Sequence, residues 1–189
     1  MIEEIRKILE NKNIKMNRGM TEKEIITAEN YYNIKFPIDL KELLMSFLPI
    51  GDRFYNWNDY SEENVKKIKD MLQFPIEGII FDIEEDNFWM DRFGKCPEKL
   101  EERVKKFLEY KNKGLIPKLV PIFAHRYMLS DKNINYPVIS IYQTDIIYYG
   151  ANLLEYFDNE FNREDDKPMH ISNKEIRPIP FWSEIIEMH

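Results

Sequence analysis

The chain of 189 residues is poor in the residues that most enzyme signatures need. It has one cysteine, Cys96, so no disulfide within the chain and no CxxC metal or redox motif is possible, which points to a reducing compartment. Its three histidines, His125, His170 and His189, form no HExxH pair. Its six glycines are scattered, leaving neither a P-loop nor a GxGxxG turn whose backbone N–H groups could converge on phosphate. No apolar run approaches the roughly 20 residues of a membrane span. The opening MIEEIRKILENKNIK mixes acids and bases and reads as a short amphipathic helix, not a signal peptide.

A surplus of basic residues is also missing. Lys and Arg number 27 against 34 Asp and Glu, a formal charge of −7. Proteins that grip phosphate backbones need clustered positive charge, so nucleic acid and anionic membrane surfaces are disfavoured partners. An acidic balance suits a cationic protein partner or simple solubility. Together these features indicate a cytoplasmic protein with no cofactor and no metal.

The chain is, by contrast, rich in core-forming residues, with 43% hydrophobic and 14% aromatic. That is ample for one domain over residues 1–189. The first third reads as helical. Ile2, Ile5, Ile8 and Leu9 share a stripe, and Thr21 with Glu24 forms a capping box before Ile25, Ala28 and Tyr32. Pro37 opens a helix with Leu40, Leu43, Leu44, Phe47 and Leu48 inward, stopped by Pro49 and Gly51. Ser61 caps another, with Val65, Ile68 and Leu72 inward, and Pro75 is read as its end.

The segment Gly78–Ile83 then reads as a strand. Glu84–Asn87 reads as a turn and Phe88–Met90 as a short strand closing a hairpin. Pro97 opens a helix with Leu100, Val104, Phe107 and Leu108 inward. Residues 118–124, 136–142 and 146–149 are strands by β-branched and aromatic content, with Gln143–Asp145 a turn between the last two. A short helix over 152–161, a polar surface-wrapping tail and a final short helix anchored by Phe181 and Trp182 complete the chain. The class is α+β: a twisted, mainly antiparallel sheet with helices at one side and around its edges, N-terminal helices preceding it.

Three groups could carry function. His125, Arg126 and Asp145 fall at strand ends, where a His and an Asp could make a base and its orienter for a hydrolase. The same residues could instead brace the sheet as a structural polar cluster, since no nucleophile sits on a tight Gly-x-Ser-x-Gly turn. Asp82, Glu84, Glu85, Asp86 and Asp91 form a dense acid cluster. It is read as a solvated turn or as an edge that binds a basic partner; the glycine and final glutamate of an EF-hand loop are absent. Phe54, Tyr55, Trp57 and Tyr60 crowd one interhelical segment, and Phe88 and Trp89 flank the acids. Aromatics beside acids suit a protein-binding hot spot, and equally a core where helices meet the sheet. Cys96, near Pro97, is at the N-terminus of the expected helix and reads as an ordinary residue there.

The order of several pieces resembles the SUKH superfamily. These are Met20–Ile25 with its threonine-capped acidic helix, the Ile34–Lys35–Phe36–Pro37 connector into Leu43–Leu44, and the expected Gly78–Trp89 hairpin. Leu119–Ile122, Pro137–Ser140, then Asp145 and Tyr148–Gly150 follow. The resemblance covers roughly residues 20 to 160. It implies a non-enzymatic α+β protein-binding domain, in many bacterial members an immunity protein that neutralises a polymorphic toxin, often a nuclease, and in fungal relatives a regulator of cell-wall synthesis. The implied partner is a basic toxin domain; the acid cluster Asp82, Glu84, Glu85, Asp86 and Asp91 and the aromatic Trp57, taken from the residues themselves, are expected on or near the surface that meets it. A regulatory scaffold for an endogenous protein is the alternative.

Overall fold

A four-stranded antiparallel meander organises the chain, and helices cover both of its faces. The computed structural model describes residues 1–164, 167–172 and 176–188. Among these, the meander is β3 (Leu119–Phe123), β4 (Arg126–Leu129), β5 (Val138–Tyr142) and β6 (Asp145–Gly150), adjacent in that order. Side chains alternate across it with the period of two that strands impose. Val120, Ile122, Met128, Val138 and Tyr149 face one core, and Leu119, Tyr127, Leu129, Ile139, Ile141 and Ile146 face the other.

The first core is closed by α1 (Ile2–Asn11), α2 (Glu22–Tyr32), α3 (Ile38–Ser46) and α6 (Leu153–Phe161). The second is closed by α4 (Glu62–Glu85), α5 (Leu100–Asn112) and α7 (Trp182–Ile186). Helix α4 contributes Ile68 to the first core and Ile79 and Ile83 to the second. The class is α+β, as the sequence indicates. None of the described helices is long and apolar enough to cross a membrane.

The local signals of the first third are realised. Thr21 Oγ1 accepts from Glu24 N, while Glu24 Oε2 accepts from Thr21 N at 2.7 Å, closing the capping box. Arg18 grips the same carboxylate through two nitrogens, at 2.9 and 2.6 Å. This fork, with Thr21 N, holds the Glu24 carboxyl well below the usual carboxylate range.

Several elements differ from the sequence reading. Helix α3 stops at Ser46, and Phe47–Ile50 forms β2, which pairs antiparallel with β1 (Lys15–Arg18) in the register Lys15↔Ile50 and Arg18↔Phe47. Pro49 is tolerated there because a two-stranded sheet is all edge. Strand β4 is not among the strands that composition indicates, and α5 begins at Leu100, three residues after Pro97. In the tail, residues 165–166 and 173–175 lie outside the described residues.

The largest departure is the segment from Gly78 to Met90. No hairpin forms: α4 runs on through Pro75 to Glu85 over 24 residues. A proline inside a helix leaves the carbonyl four residues earlier without its N–H partner. Here that carbonyl belongs to Met71, and the Tyr127 hydroxyl of β4 donates to it at 2.9 Å. With the proline's defect mended from the sheet, the spacing of Gly78, Ile79, Asp82 and Ile83 buries one helical face.

Candidate functional site

The acids Glu77, Glu84 and Glu85 of α4 are exposed, whereas Asp82 belongs to the buried stripe. Glu77, Phe81 and Glu84 stand at i, i+4 and i+7, one above another on the helix surface, with Phe81 47% exposed. Glu84 and Glu85 are the last helical residues and Asp86 is the C-cap, its N–H donating to Asp82 O at 3.0 Å. The last turn carries no basic residue. The helix carbonyls there already present roughly half a negative elementary charge, so three carboxylates on this end reinforce the field where lysines would offset it. Among the described residues, none of Glu77, Glu84, Glu85, Asp86 or Asp91 makes an ion pair. The nearby Arg103 instead donates to Asn87 Oδ1 and the Pro97 carbonyl.

The buried stripe fixes this face against the β5–β6 hairpin. Asp82 Oδ2 accepts from Thr144 N at 2.7 Å and from Thr144 Oγ1 at 2.5 Å, so one carboxylate oxygen holds the turn residue by backbone and side chain together. One turn earlier, Gly78 lies so close that an added Cβ would stand 2.7 Å from Gln143 Cα. That turn places Tyr142, 58% exposed, across from the exposed Asp145. The Tyr142 ring approaches Phe74 of α4 at 6.5 Å between centroids. The result is a composite face of α4 and the β5–β6 hairpin that carries the exposed rings of Phe81 and Tyr142 and exposed carboxylates.

Of the acids singled out by sequence, Glu84, Glu85 and Asp86 come together here, and Asp91 follows, exposed, in the 3₁₀ turn Asp91–Phe93. Asp82 is corrected from a surface acid to a buried anchor, 3% exposed. Trp57 is corrected likewise: it is 2% exposed, edge-on to Phe36 and Tyr32 at 5.0 and 5.5 Å within the first core. Neither side chain can meet a partner. Glu77, Phe81 and Tyr142 are the members that sequence reasoning misses. For Glu77 and Phe81 the signal, a period of 3.6 continuing beyond Pro75, is present but hidden by the strand reading; Tyr142, at the end of β5, carries no such signal.

The polar cluster at the other strand ends is rearranged. Arg126 Nε reaches Glu160 Oε2 of α6 at 3.1 Å, its Nη1 donates to Ser140 Oγ at 2.9 Å, and its guanidinium lies 4.0 Å over the Tyr149 ring. Glu160, not Asp145, is its carboxylate. His125 sits in the Ala124–His125 turn, where its carbonyl accepts from Ile141 N, and its ring is 6.5 Å from Tyr142. Among the described residues no hydrogen bond or ion pair joins His125 to Asp145. Burial, then Arg126 and Arg53, push the His125 pKa down, so its neutral form is favoured. Cys96 is exposed and lies four residues ahead of α5. No group of three or more His, Cys, Asp or Glu among the described residues is placed to hold a metal ion.

Compared with known proteins, the chain matches no family model, no curated protein and no solved structure.

Proposed function

We propose that this protein is a non-enzymatic protein-binding domain that neutralises a toxin with a basic surface, possessing in α4 and the β5–β6 hairpin the face that occludes it. The observation that carries the reading is the unpaired acid group Glu84–Glu85–Asp86 on the negative end of α4, beside the half-exposed Phe81. Such a field draws a cationic partner in and sets its orientation, while a central ring that loses water on contact supplies affinity. A nuclease surface that grips phosphate is basic and fits this chemistry; nucleic acid, itself anionic, does not. The resemblance to the SUKH superfamily points to the same role.

The test is capture. The purified chain, immobilised at moderate salt, is offered secreted and cell-surface toxin fractions of competing bacterial strains, beside a Glu84→Lys/Glu85→Lys/Asp86→Lys variant. Retention of a protein with a basic toxic domain by the parent and not by the variant supports the reading. Retention of a resident cell protein alone favours the regulatory scaffold. Equal retention by both chains rules the acid face out.

A further inference from the structure

A second feature lies on another side of α4. Lys69, Leu72, Gln73 and Ile76 recur at i, i+3, i+4 and i+7 and form one wall of a cleft of about 590 Å3. The C-terminal end of α2 and the α5–β3 connection form the other walls, with Trp182 of α7 between them. Leu72, Ile76, Ile116, Leu119 and Trp182 give the cleft an apolar lining. The Trp182 indole is held in place by donating Nε1–H to the Pro117 carbonyl at 3.0 Å. The volume falls within the few hundred to about 1,000 Å3 typical of small-molecule sites.

The charge of this cleft is opposite to that of the chain. Lys69, Lys111 and Lys118 line it and, among the described residues, no Asp or Glu does, in a protein where acids outnumber bases 34 to 27. Among the described residues none of the three lysines forms an ion pair. Lys69 Nζ rests 5.4 Å from the centre of the Tyr31 ring, and Lys118 Nζ donates to the Asn33 carbonyl at 2.7 Å. An ammonium has three N–H donors, so one such contact leaves donors for a ligand. An apolar lining with cationic side chains and no anion selects against neutral polar molecules and against cations.

We infer that this cleft binds a small amphipathic anion, an aliphatic or aromatic body carrying a terminal carboxylate. The body would lie against Leu72, Ile76 and Trp182, and the carboxylate would meet the lysines. This inference does not depend on the docking face, whose acids lie along a different stripe of α4.

Isothermal titration of the full chain with decanoate, below its micelle concentration, tests it. Decyltrimethylammonium, of the same chain length and opposite charge, is the control. Saturable binding of decanoate with Kd of about 10–100 μM is expected, with no saturable binding of the ammonium. The variant Lys69→Gln/Lys111→Gln/Lys118→Gln should bind at least about tenfold more weakly, and Gln73→Trp, which crowds the wall, should block binding. These are surface changes, and circular dichroism verifies that the variants keep the fold. The Glu84→Lys/Glu85→Lys/Asp86→Lys variant should bind decanoate like the parent. No binding of decanoate to the parent, equal binding of the ammonium, or undiminished binding by the lysine variant would each overturn the inference.

Discussion

The Tyr127 hydroxyl donates to the Met71 carbonyl at 2.9 Å, and Met71 is the residue whose helical partner would have been the N–H that Pro75 lacks. A side chain of the sheet thus completes the hydrogen bonding of a helix that its own sequence interrupts. Tyr127 is fully buried, and burial holds its hydroxyl protonated as a donor by raising its pKa. The part of α4 beyond Pro75, which carries the acid face, continues the helix past this repair.

Removing the donor should expose that dependence. Tyr127→Phe is expected to cost about 1–3 kcal/mol, because a buried carbonyl is left unpaired. In a Pro75→Ala background, residue 75 regains an N–H for Met71, and the same substitution should cost about 1 kcal/mol less. Urea unfolding of the four proteins of this cycle measures the coupling; additive effects would show that the hydroxyl and the proline are unrelated.

Gly78 gives a result opposite to helix propensity. Glycine to alanine inside a helix ordinarily gains up to about 1 kcal/mol. Here the new Cβ would stand 2.7 Å from the Gln143 backbone, which cannot yield as a flexible side chain does. Gly78→Ala should therefore destabilise the protein and disturb the hairpin turn that Asp82 holds. A rise in the unfolding midpoint would contradict that close approach.

Pro75 and Tyr127 also explain how far the sequence could be read. Thr21 with Glu24, the stripe Leu40–Leu43–Leu44 and the β-branched runs of β3, β5 and β6 are local signals, and the structure realises them. Pro75 is a local signal too, but its consequence is cancelled by Tyr127, 52 positions further along the chain, and nothing in residues 62–90 announces that partner. With the proline read as a stop, Ile79, Ile80, Phe81 and Ile83 read as a strand. On a helix Asp82 and Glu84 point to different sides, so one acid of the cluster became an anchor and the others the surface. Trp57 illustrates a different limit. An aromatic-rich connector is equally compatible with a hot spot and with a core, and only the edge-on packing of Tyr32 and Phe36 around it decides for the core.

His125 should make stability depend on pH. Its folded-state pKa is lowered from the ordinary value of 6.5, so below that value the unfolded chain binds more protons than the fold. The stability associated with neutral His125 is complete above about pH 6.5 and declines as the pH falls through that value, levelling once the folded-state pKa is passed. Thermal melts of the parent and His125→Gln, compared between about pH 7.5 and about pH 5, should show a steeper loss in the parent. Identical profiles would mean that the imidazole titrates as freely in the fold as outside it.

Charge reversal at the end of α4 should separate stability from binding. Lysine at a helix C-terminus is favourable by about 0.3–1 kcal/mol, whereas glutamate there is not. Glu84→Lys/Glu85→Lys is therefore expected to leave the fold as stable as the parent or more so, while partner capture falls. Loss of both together would attribute the effect on capture to unfolding rather than to the face.

In the function proposed above, unpaired acids and Phe81 on one face of α4 dock a basic protein. The association rate of the captured toxin domain as a function of salt tests this docking, for the parent, Glu84→Lys/Glu85→Lys and Phe81→Ala. The parent should associate fast, with a steep decline as salt rises. The lysine variant should associate slowly with a flat salt profile, and Phe81→Ala should keep the parent's rate but dissociate at least about tenfold faster. On-rates and salt slopes that are the same for the parent and the lysine variant would place the binding surface elsewhere and contradict the claim.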